Sequence, residues 1–308
     1  KQRDLIKLRR IHGHILLHDT QLFARDIIVG NALVSMYTKC FALSEAQDLF
    51  DNLPLRNVVT WNALISGYAQ QGHGNEAINL FKQMMDEGVT PNEVTYICVL
   101  KACGSKGFVE LGEEICVEVT KKGLLRRDIV LGTSIVDMYA RCNMMNKAQE
   151  VFGKLPKHDI VAWNVLISGY AQYGHVHVPL QLFQLMQRDG IKPCKVTYSS
   201  ILKACNNTGI TINLRILHQQ IIKDSMESDI MIGNILLDMY AKRGMLEEAQ
   251  KVFDDLKNRT IVSWGAIIAG YASQGHIVRV LTLFSKMVQS DINPNPVMFS
   301  VVLKSCGG

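Results

Sequence analysis

Apolar side chains return every three or four positions along this chain. A clear run is Trp61, Leu64, Ile65 and Tyr68, at i, i+3, i+4 and i+7. That spacing gathers them into one stripe and predicts an amphipathic helix. Gly72 and Gly74 interrupt it, since glycine supplies the left-handed turn on which helices end. Asn75 is the expected N-cap of a second helix, whose stripe is Ala77, Leu80, Phe81 and Met84. Gly88 closes that helix, and Pro91 marks the passage to the next element. Residues 58–92 therefore predict a helical hairpin.

The hairpin recurs. Trp61, Trp163 and Trp264 are the only tryptophans, in VTWNALISGYAQQGH, VAWNVLISGYAQYGH and VSWGAIIAGYASQGH. Pro91, Pro193 and Pro294 keep the same offset, as do His73, His175 and His276, and Cys103, Cys205 and Cys306. Each block divides into three variants of one pattern, giving whole units at 27–57, 58–92, 93–128, 129–159, 160–194, 195–229, 230–260 and 261–295. Residues 1–26 read as the latter half of a unit and 296–308 as a truncated one. Ala46, Ala77, Ala148 and Ala249 hold one place in the second helices, where a small residue lets helices approach closely. One hairpin cannot bury both faces, so neighbours must stack. The expected fold is an all-α solenoid forming one continuous array, although 308 residues would by length suggest two globular domains.

Composition adds little. Apolar residues make up 48% and charged ones 20%, which excludes a disordered tail. No apolar run of about 18 residues occurs, which excludes a spanning helix and gives no reason to expect a membrane partner. The net charge of +5 permits a polyanionic partner without demanding one. Eight cysteines with no CxxC pair provide neither a disulfide scaffold nor a zinc site. The chain opens on Lys1 without methionine and stops at Gly307-Gly308, so a fragment is expected.

Candidate chemistry lies in one recurring pair. Val59 and Asn62 are three apart, hence on one face of the first helix, away from Trp61 and Ile65. The pair recurs as Ile28/Asn31, Val130/Thr133, Val161/Asn164 and Met231/Asn234. An aliphatic group can cover the flat face of a base while the amide or hydroxyl meets its edge. A single asparagine would as readily cap local backbone; recurrence beside an apolar residue favours the base contact. Lys39, Arg141 and Lys242 lie eleven residues after Ile28, Val130 and Met231, close to three turns, and so return to that face. Lys101, Lys203 and Lys304 lie seven after Val94, Val196 and Val297, almost two turns. The six form a candidate phosphate-contacting stripe. About five neutralised phosphates would give a log K against log salt slope near −3.5. No catalytic, metal or cofactor site is expected. His12/His14 and His175/His177 have two-residue spacing, Cys40 and Cys142 become Arg243 in the third copy, and Glu113-Glu114 and Glu247-Glu248 sit on amphipathic second helices.

These motifs, with GNALVSMYTKC, GTSIVDMYARC and GNILLDMYAKR followed by EAQDLFDNLP, KAQEVFGKLP and EAQKVFDDLK, resemble the pentatricopeptide repeat family of plant organelles. The resemblance covers essentially the whole chain and implies a right-handed α-solenoid superhelix of helix-turn-helix repeats. The unit lengths of 35, 36 and 31 resemble its P, L and S classes. They identify S repeats at 27–57, 129–159 and 230–260, P repeats at 58–92, 160–194 and 261–295, and L repeats at 93–128 and 195–229. Residues 1–26 and 296–308 then resemble incomplete L repeats. The family implies single-stranded RNA binding, one base per repeat. Ile28, Val59, Val130, Val161, Met231 and Val262 would sandwich bases. The second reader would be the last residue of each unit.

Asn31 with Asn57 and Asn62 with Asn92 then resemble pyrimidine readers with some preference for C. Thr133 with Asp159 resembles a guanine reader, and Asn234 with Thr260 a pyrimidine reader. Asn164/Cys194 and Gly265/Asn295 depart from the pattern, and Ile97/Asp128 and Ser199/Asp229 stay open, Ile97 being unable to read an edge. The implied footprint is Y-Y-N-G-Y-N-Y-N. The triplet order resembles the branch that directs C-to-U editing in mitochondria or chloroplasts, with a deaminase domain or an accessory protein as further partner. No H-x-E with P-C-x-x-C occurs in this chain, so no deaminase activity is expected of it. Transcript stabilisation, splicing or translation is the alternative within RNA binding. A tetratricopeptide-type protein scaffold is the alternative outside it, although W-x2-L-G is absent.

Overall fold

A computed structural model describes residues 2–18, 26–175, 177–206 and 212–307. Parts of the units 1–26, 160–194 and 195–229 therefore lie outside the described residues. Those described contain eighteen α-helices, one 3-10 turn and no strand. The helices are α1 (Gln2–His18), α2 (Ile27–Lys39), α3 (Leu43–Asp51), α4 (Val58–Gln70), α5 (Gly74–Asp86), α6 (Glu93–Lys106), α7 (Val109–Lys121), α8 (Ile129–Arg141) and α9 (Met145–Lys154). They continue as α10 (Ile160–Gln172), α11 (His177–Arg188), α12 (Lys195–Asn206), α13 (Ile212–Lys223), α14 (Ile230–Lys242), α15 (Leu246–Asp255), α16 (Ile261–Ser273), α17 (Ile277–Gln289) and α18 (Pro296–Cys306). The chain forms two compact units, Lys1–Gly169 and Tyr170–Gly308.

In the first unit, α2, α4, α6 and α8 pack in succession, and each also packs on the second helix of its own hairpin. In the second, α12, α14, α16 and α18 pack in succession, and the first three also pack on the second helices of their own hairpins. The seams are built from the repeat signatures. Trp61 is wholly buried, edge-on to Phe50 with ring centres 4.6 Å apart. Trp163 meets Phe152 and Trp264 meets Phe253, each at 4.8 Å. An edge-to-face pair adds about 0.5–1.5 kcal/mol beyond area burial. Ala46, Ala77, Ala148 and Ala249 are wholly buried. On the second helices, Arg9 pairs with Glu45, Lys147 with Glu113 and Arg215 with Glu248, so the middle copy carries the same bridge with its charges exchanged.

The 31-residue units are short because their second helices, α3, α9 and α15, have 9 or 10 residues against 13 in α5 and α17. Leu53, Leu155 and Leu256 are buried over Gly30, Gly132 and Gly233, where an added Cβ would lie 2.6, 2.4 and 2.5 Å from the leucine.

The start of α5 differs from the expectation. Gly72 takes φ +84° and ends α4, with the His73 N–H donating to the Tyr68 carbonyl at 3.0 Å, a Schellman motif. Gly74, however, is the first residue of α5 and breaks nothing. The N-cap is His73, not Asn75, and its side chain makes no cap bond. Having left the left-handed turn, the backbone re-enters the helix at once. The His73 ring instead lies edge-on to Tyr68, as His175 does to Tyr170 and His276 to Tyr271.

Candidate nucleic-acid interface

The last residue of a unit caps the first helix of the next. Asn57 accepts from the Val59 and Thr60 N–H groups, Asn92 from Thr95, Thr260 from Ser263 and Asn295 from Met298. Asp128 accepts from Val130 and Leu131, Asp229 from Met231 and Ile232, and Asp159 from Ala162 at 2.8 Å. Cys194 carries no oxygen; its N–H donates to Thr197 Oγ1 at 3.1 Å. The side chains expected to meet base edges thus have a structural duty as well, because a helix start leaves N–H groups without partners.

The second residue of each first helix projects outward. Ile28, Val59, Val130, Val161, Met231 and Val262 are all exposed, Ile28 at 72% and Val130 at 61%. Such exposure in nine successive helices, counting Val94, Val196 and Val297, is systematic for residues this apolar. The residue three further on lies deeper, with Asn62 9% and Thr133 6% exposed.

Within the first unit the Asn62 amide donates to Asn92 Oδ1 at 2.9 Å, and Asn31 donates to Asn57 Oδ1 at 3.4 Å. Within the second, Asn234 donates to Thr260 Oγ1 at 3.5 Å. Each asparagine also accepts from a hydroxyl on the next hairpin: Asn31 from Thr60 at 2.5 Å, Asn62 from Thr95 at 2.6 Å and Asn234 from Ser263 at 2.6 Å. Asn164 belongs to the first compact unit and Cys194 to the second, so each is placed by itself. Ser199 is buried.

Thr133 and Asp159 line a cavity of about 420 Å³ between Val130 and Val161. Ile97 and Lys101 wall it from the preceding L-length unit. Thr133 Oγ1 is buried without a hydrogen-bond partner. In the second unit, Val262, Gly265, Asn295 and Val297 line a cavity of about 330 Å³, and Met298 fills the place beside Gly265, its Cε 3.5 Å from where a Cβ would sit.

All six basic residues of the expected stripe are exposed in the C-terminal halves of first helices. Lys101 and Arg141 reach the Thr133 cavity. Arg141 is engaged with Asp137 at 2.7 Å and Lys242 with Asp238 at 2.6 Å, each one turn back. Lys39, Lys101, Lys203 and Lys304 make no ion pair among the described residues. Sequence reasoning missed two sets of residues: the aspartates, although i, i+4 spacing announces them, and the hydroxyls of Thr60, Thr95 and Ser263.

Of the remaining reactive groups, Cys103 and Cys205 are buried and Cys306 is exposed. Burial pushes the Cys103 thiol up to about 12 and raises Cys98 and Cys205, disfavouring thiolate. Burial lowers His12 and His218, whose Nδ1 atoms lie 2.8 and 3.0 Å from the hydroxyls of Tyr37 and Tyr240. No group of three metal-ligating side chains converges among the described residues.

Family comparison agrees with this architecture. A model described as the PPR repeat family matches residues 56–105 and 158–207, and one described as the PPR repeat matches 94–124, 133–160, 234–261 and 262–292. The chain belongs to the pentatricopeptide repeat family. A chloroplastic pentatricopeptide repeat-containing protein of Arabidopsis thaliana is 34% identical over 299 residues, covering 97% of this chain and 48% of its own length. A mitochondrial one from the same plant is 37% identical over 295 residues, covering 96% and 46%. The chain thus spans about half the length of these relatives. The crystal structure of the maize pentatricopeptide repeat protein PPR10 superposes with a TM-score of 0.82 at 21% identity, covering 99% of this chain and 44% of that one. The same protein in complex with an 18-nucleotide psaJ RNA element gives 0.76 at 22%, covering 99% and 46%. The shared fold is the pentatricopeptide solenoid.

Proposed function

We propose that this chain is a sequence-specific single-stranded RNA-binding module that takes one base per repeat. The observation that carries the reading is the Thr133 cavity. Two exposed valines, Val130 and Val161, flank it as apolar walls for a flat ring. Asp159 offers a carboxylate at the edge, and Thr133 holds a buried hydroxyl whose hydrogen bond is unmade. Lys101 stands beside it for the phosphate. A buried unpaired hydroxyl costs about 1–3 kcal/mol, which a base edge would recover. That PPR10 has been crystallised with RNA supports the same reading.

On this account Ile28, Val59, Val130, Val161, Met231 and Val262 sandwich bases. The pairs Asn31/Asn57, Asn62/Asn92 and Asn234/Thr260 take pyrimidines and Thr133/Asp159 takes guanine. Lys39, Lys101, Lys203 and Lys304 contact phosphates, whereas Arg141 and Lys242 are held by Asp137 and Asp238. The S–P–L order supports a specificity role in organellar RNA processing, most directly C-to-U editing with a deaminase domain or an accessory protein. The chloroplastic and mitochondrial relatives support the compartment. The test is selection of the 308-residue chain against a random single-stranded RNA pool. Enrichment of Y-Y-N-G-Y-N-Y-N is expected. Retention of no RNA would overturn the reading and favour a protein scaffold.

A further inference from the structure

We infer that the third residue of a unit, where it carries a hydroxyl, is a positioning residue for the base-facing side chain of the unit before it. The inference rests on the base-reading role proposed above and adds a residue to it.

The atoms can be assigned from the helix cap outward. Asn92 Oδ1 receives the Thr95 backbone N–H at 3.1 Å, so the capping atom is oxygen. The Asn62 group 2.9 Å from that oxygen must then be the amide nitrogen, and its oxygen is the atom facing Thr95. Thr95 Oγ1 receives the Asn92 backbone N–H at 3.1 Å, and its own proton goes to the nearer of two acceptors, Asn62 Oδ1 at 2.6 Å rather than Asn92 Oδ1 at 3.0 Å. The Asn62 amide is thus held at both ends. It keeps one N–H and one lone pair to offer a base, in fixed places. The same circuit joins Asn31, Asn57 and Thr60. It also joins Asn234, Thr260 and Ser263.

The sequence carries the same rule through every complete unit. Each base-facing asparagine is followed by a hydroxyl at the third residue of the next unit: Asn31 by Thr60, Asn62 by Thr95, Asn164 by Thr197 and Asn234 by Ser263. None of the other four is: Ile97 is followed by Leu131, Thr133 by Ala162, Ser199 by Ile232 and Gly265 by Met298. Ala162 accounts for the orphaned Thr133 Oγ1, because the hydroxyl that would reach it has been replaced by a methyl group. Met298 answers Gly265 in apolar terms by filling its space.

The consequence is discrimination between the two pyrimidines. Cytosine presents an amino donor where uracil presents a carbonyl acceptor. A half-turn of an asparagine amide exchanges its own donor and acceptor. The hydroxyl and the capping oxygen together oppose the half-turn and so separate C from U; loss of the hydroxyl removes one of the two holds and weakens that separation.

The experiment measures binding of the 308-residue chain to single-stranded RNAs of the proposed footprint in three sets, each varying one place: the second, where Asn62 and Asn92 act, the fourth and the seventh. The C/U affinity ratio is expected to fall at least about threefold toward one in Thr95→Val, the loss of one hydrogen bond's discrimination. It is expected to hold in Thr95→Ser and to be unchanged at the seventh place, governed by Asn234. A wild-type ratio of one, or a ratio retained by Thr95→Val while Asn62→Ala abolishes it, overturns the positioning role. A ratio untouched even by Asn62→Ala overturns base reading itself, and the positioning role with it. Should Thr95→Val not fold, Ala162→Ser tests the same claim in reverse. By giving Thr133 a partner it should move the G/A ratio at the fourth place at least about threefold, and an unmoved ratio in that folded variant overturns the inference.

Discussion

Thr133 concentrates the residue-scale argument. Its hydroxyl is buried and unpartnered, and the residue lines the cavity that Val130 and Val161 flank. Replacing a buried, unsatisfied polar group by an apolar one of the same shape is near neutral or stabilising. Thr133→Val is therefore expected to keep or raise the free energy of unfolding by up to about 1 kcal/mol, measured in urea, while losing base preference at its place. Destabilisation well beyond that would mean the hydroxyl has a partner in the folded chain. The pairing of apolar and polar residues along each first helix was legible in the sequence, because a spacing of three fixes a shared face. The circuits through Thr60, Thr95 and Ser263 were not. They close between hairpins 29 or 33 residues apart, and helical periodicity carries no information at that range.

Between elements, glycines set how closely first helices approach. A Cβ on Gly270 would meet Ala241 Cβ at 2.7 Å and its Cα at 3.2 Å, so no rotamer relieves the contact. Gly270→Ala should force α14 and α16 apart at a cost of roughly 1–3 kcal/mol, read from the urea midpoint. A neutral effect would refute the close approach.

His218 ties α13 to α14 through Tyr240, and burial lowers its pKa. The folded state therefore favours neutral imidazole. Its contribution is present above the ordinary value of about 6.5 and is lost as pH falls through the lowered folded value. Unfolding midpoints should decline over that acid range and decline less in His218→Gln; an equal decline in both would place the sensitivity elsewhere. The succession of helices was legible because the pattern repeats. The cap of α5 was not, since His73 takes that place through the Schellman turn and no side chain announces it.

At the scale of the molecule, the six basic groups are not equivalent. Arg141 and Lys242 are already paired, leaving four lysines for phosphate. The salt slope should then be near −2.8, at about −0.7 per phosphate, shallower than five contacts would give. Asp137→Asn frees Arg141 and should steepen it toward −3.5. An unchanged slope would remove Arg141 from the phosphate path. This offset escaped the sequence reading because the first copy has Ser35 where the others have Asp137 and Asp238, so the pairing does not recur with the stripe.

The central claim is that successive repeats each read a base. Its most direct test is equilibrium binding of the chain to single-stranded RNA of sequence Y-Y-N-G-Y-N-Y-N and to the same RNA with adenine at the fourth place, at fixed salt. The Thr133–Asp159 cavity predicts a loss of about 1–3 kcal/mol, roughly five- to 150-fold in Kd. Equal affinity for the two RNAs would contradict it.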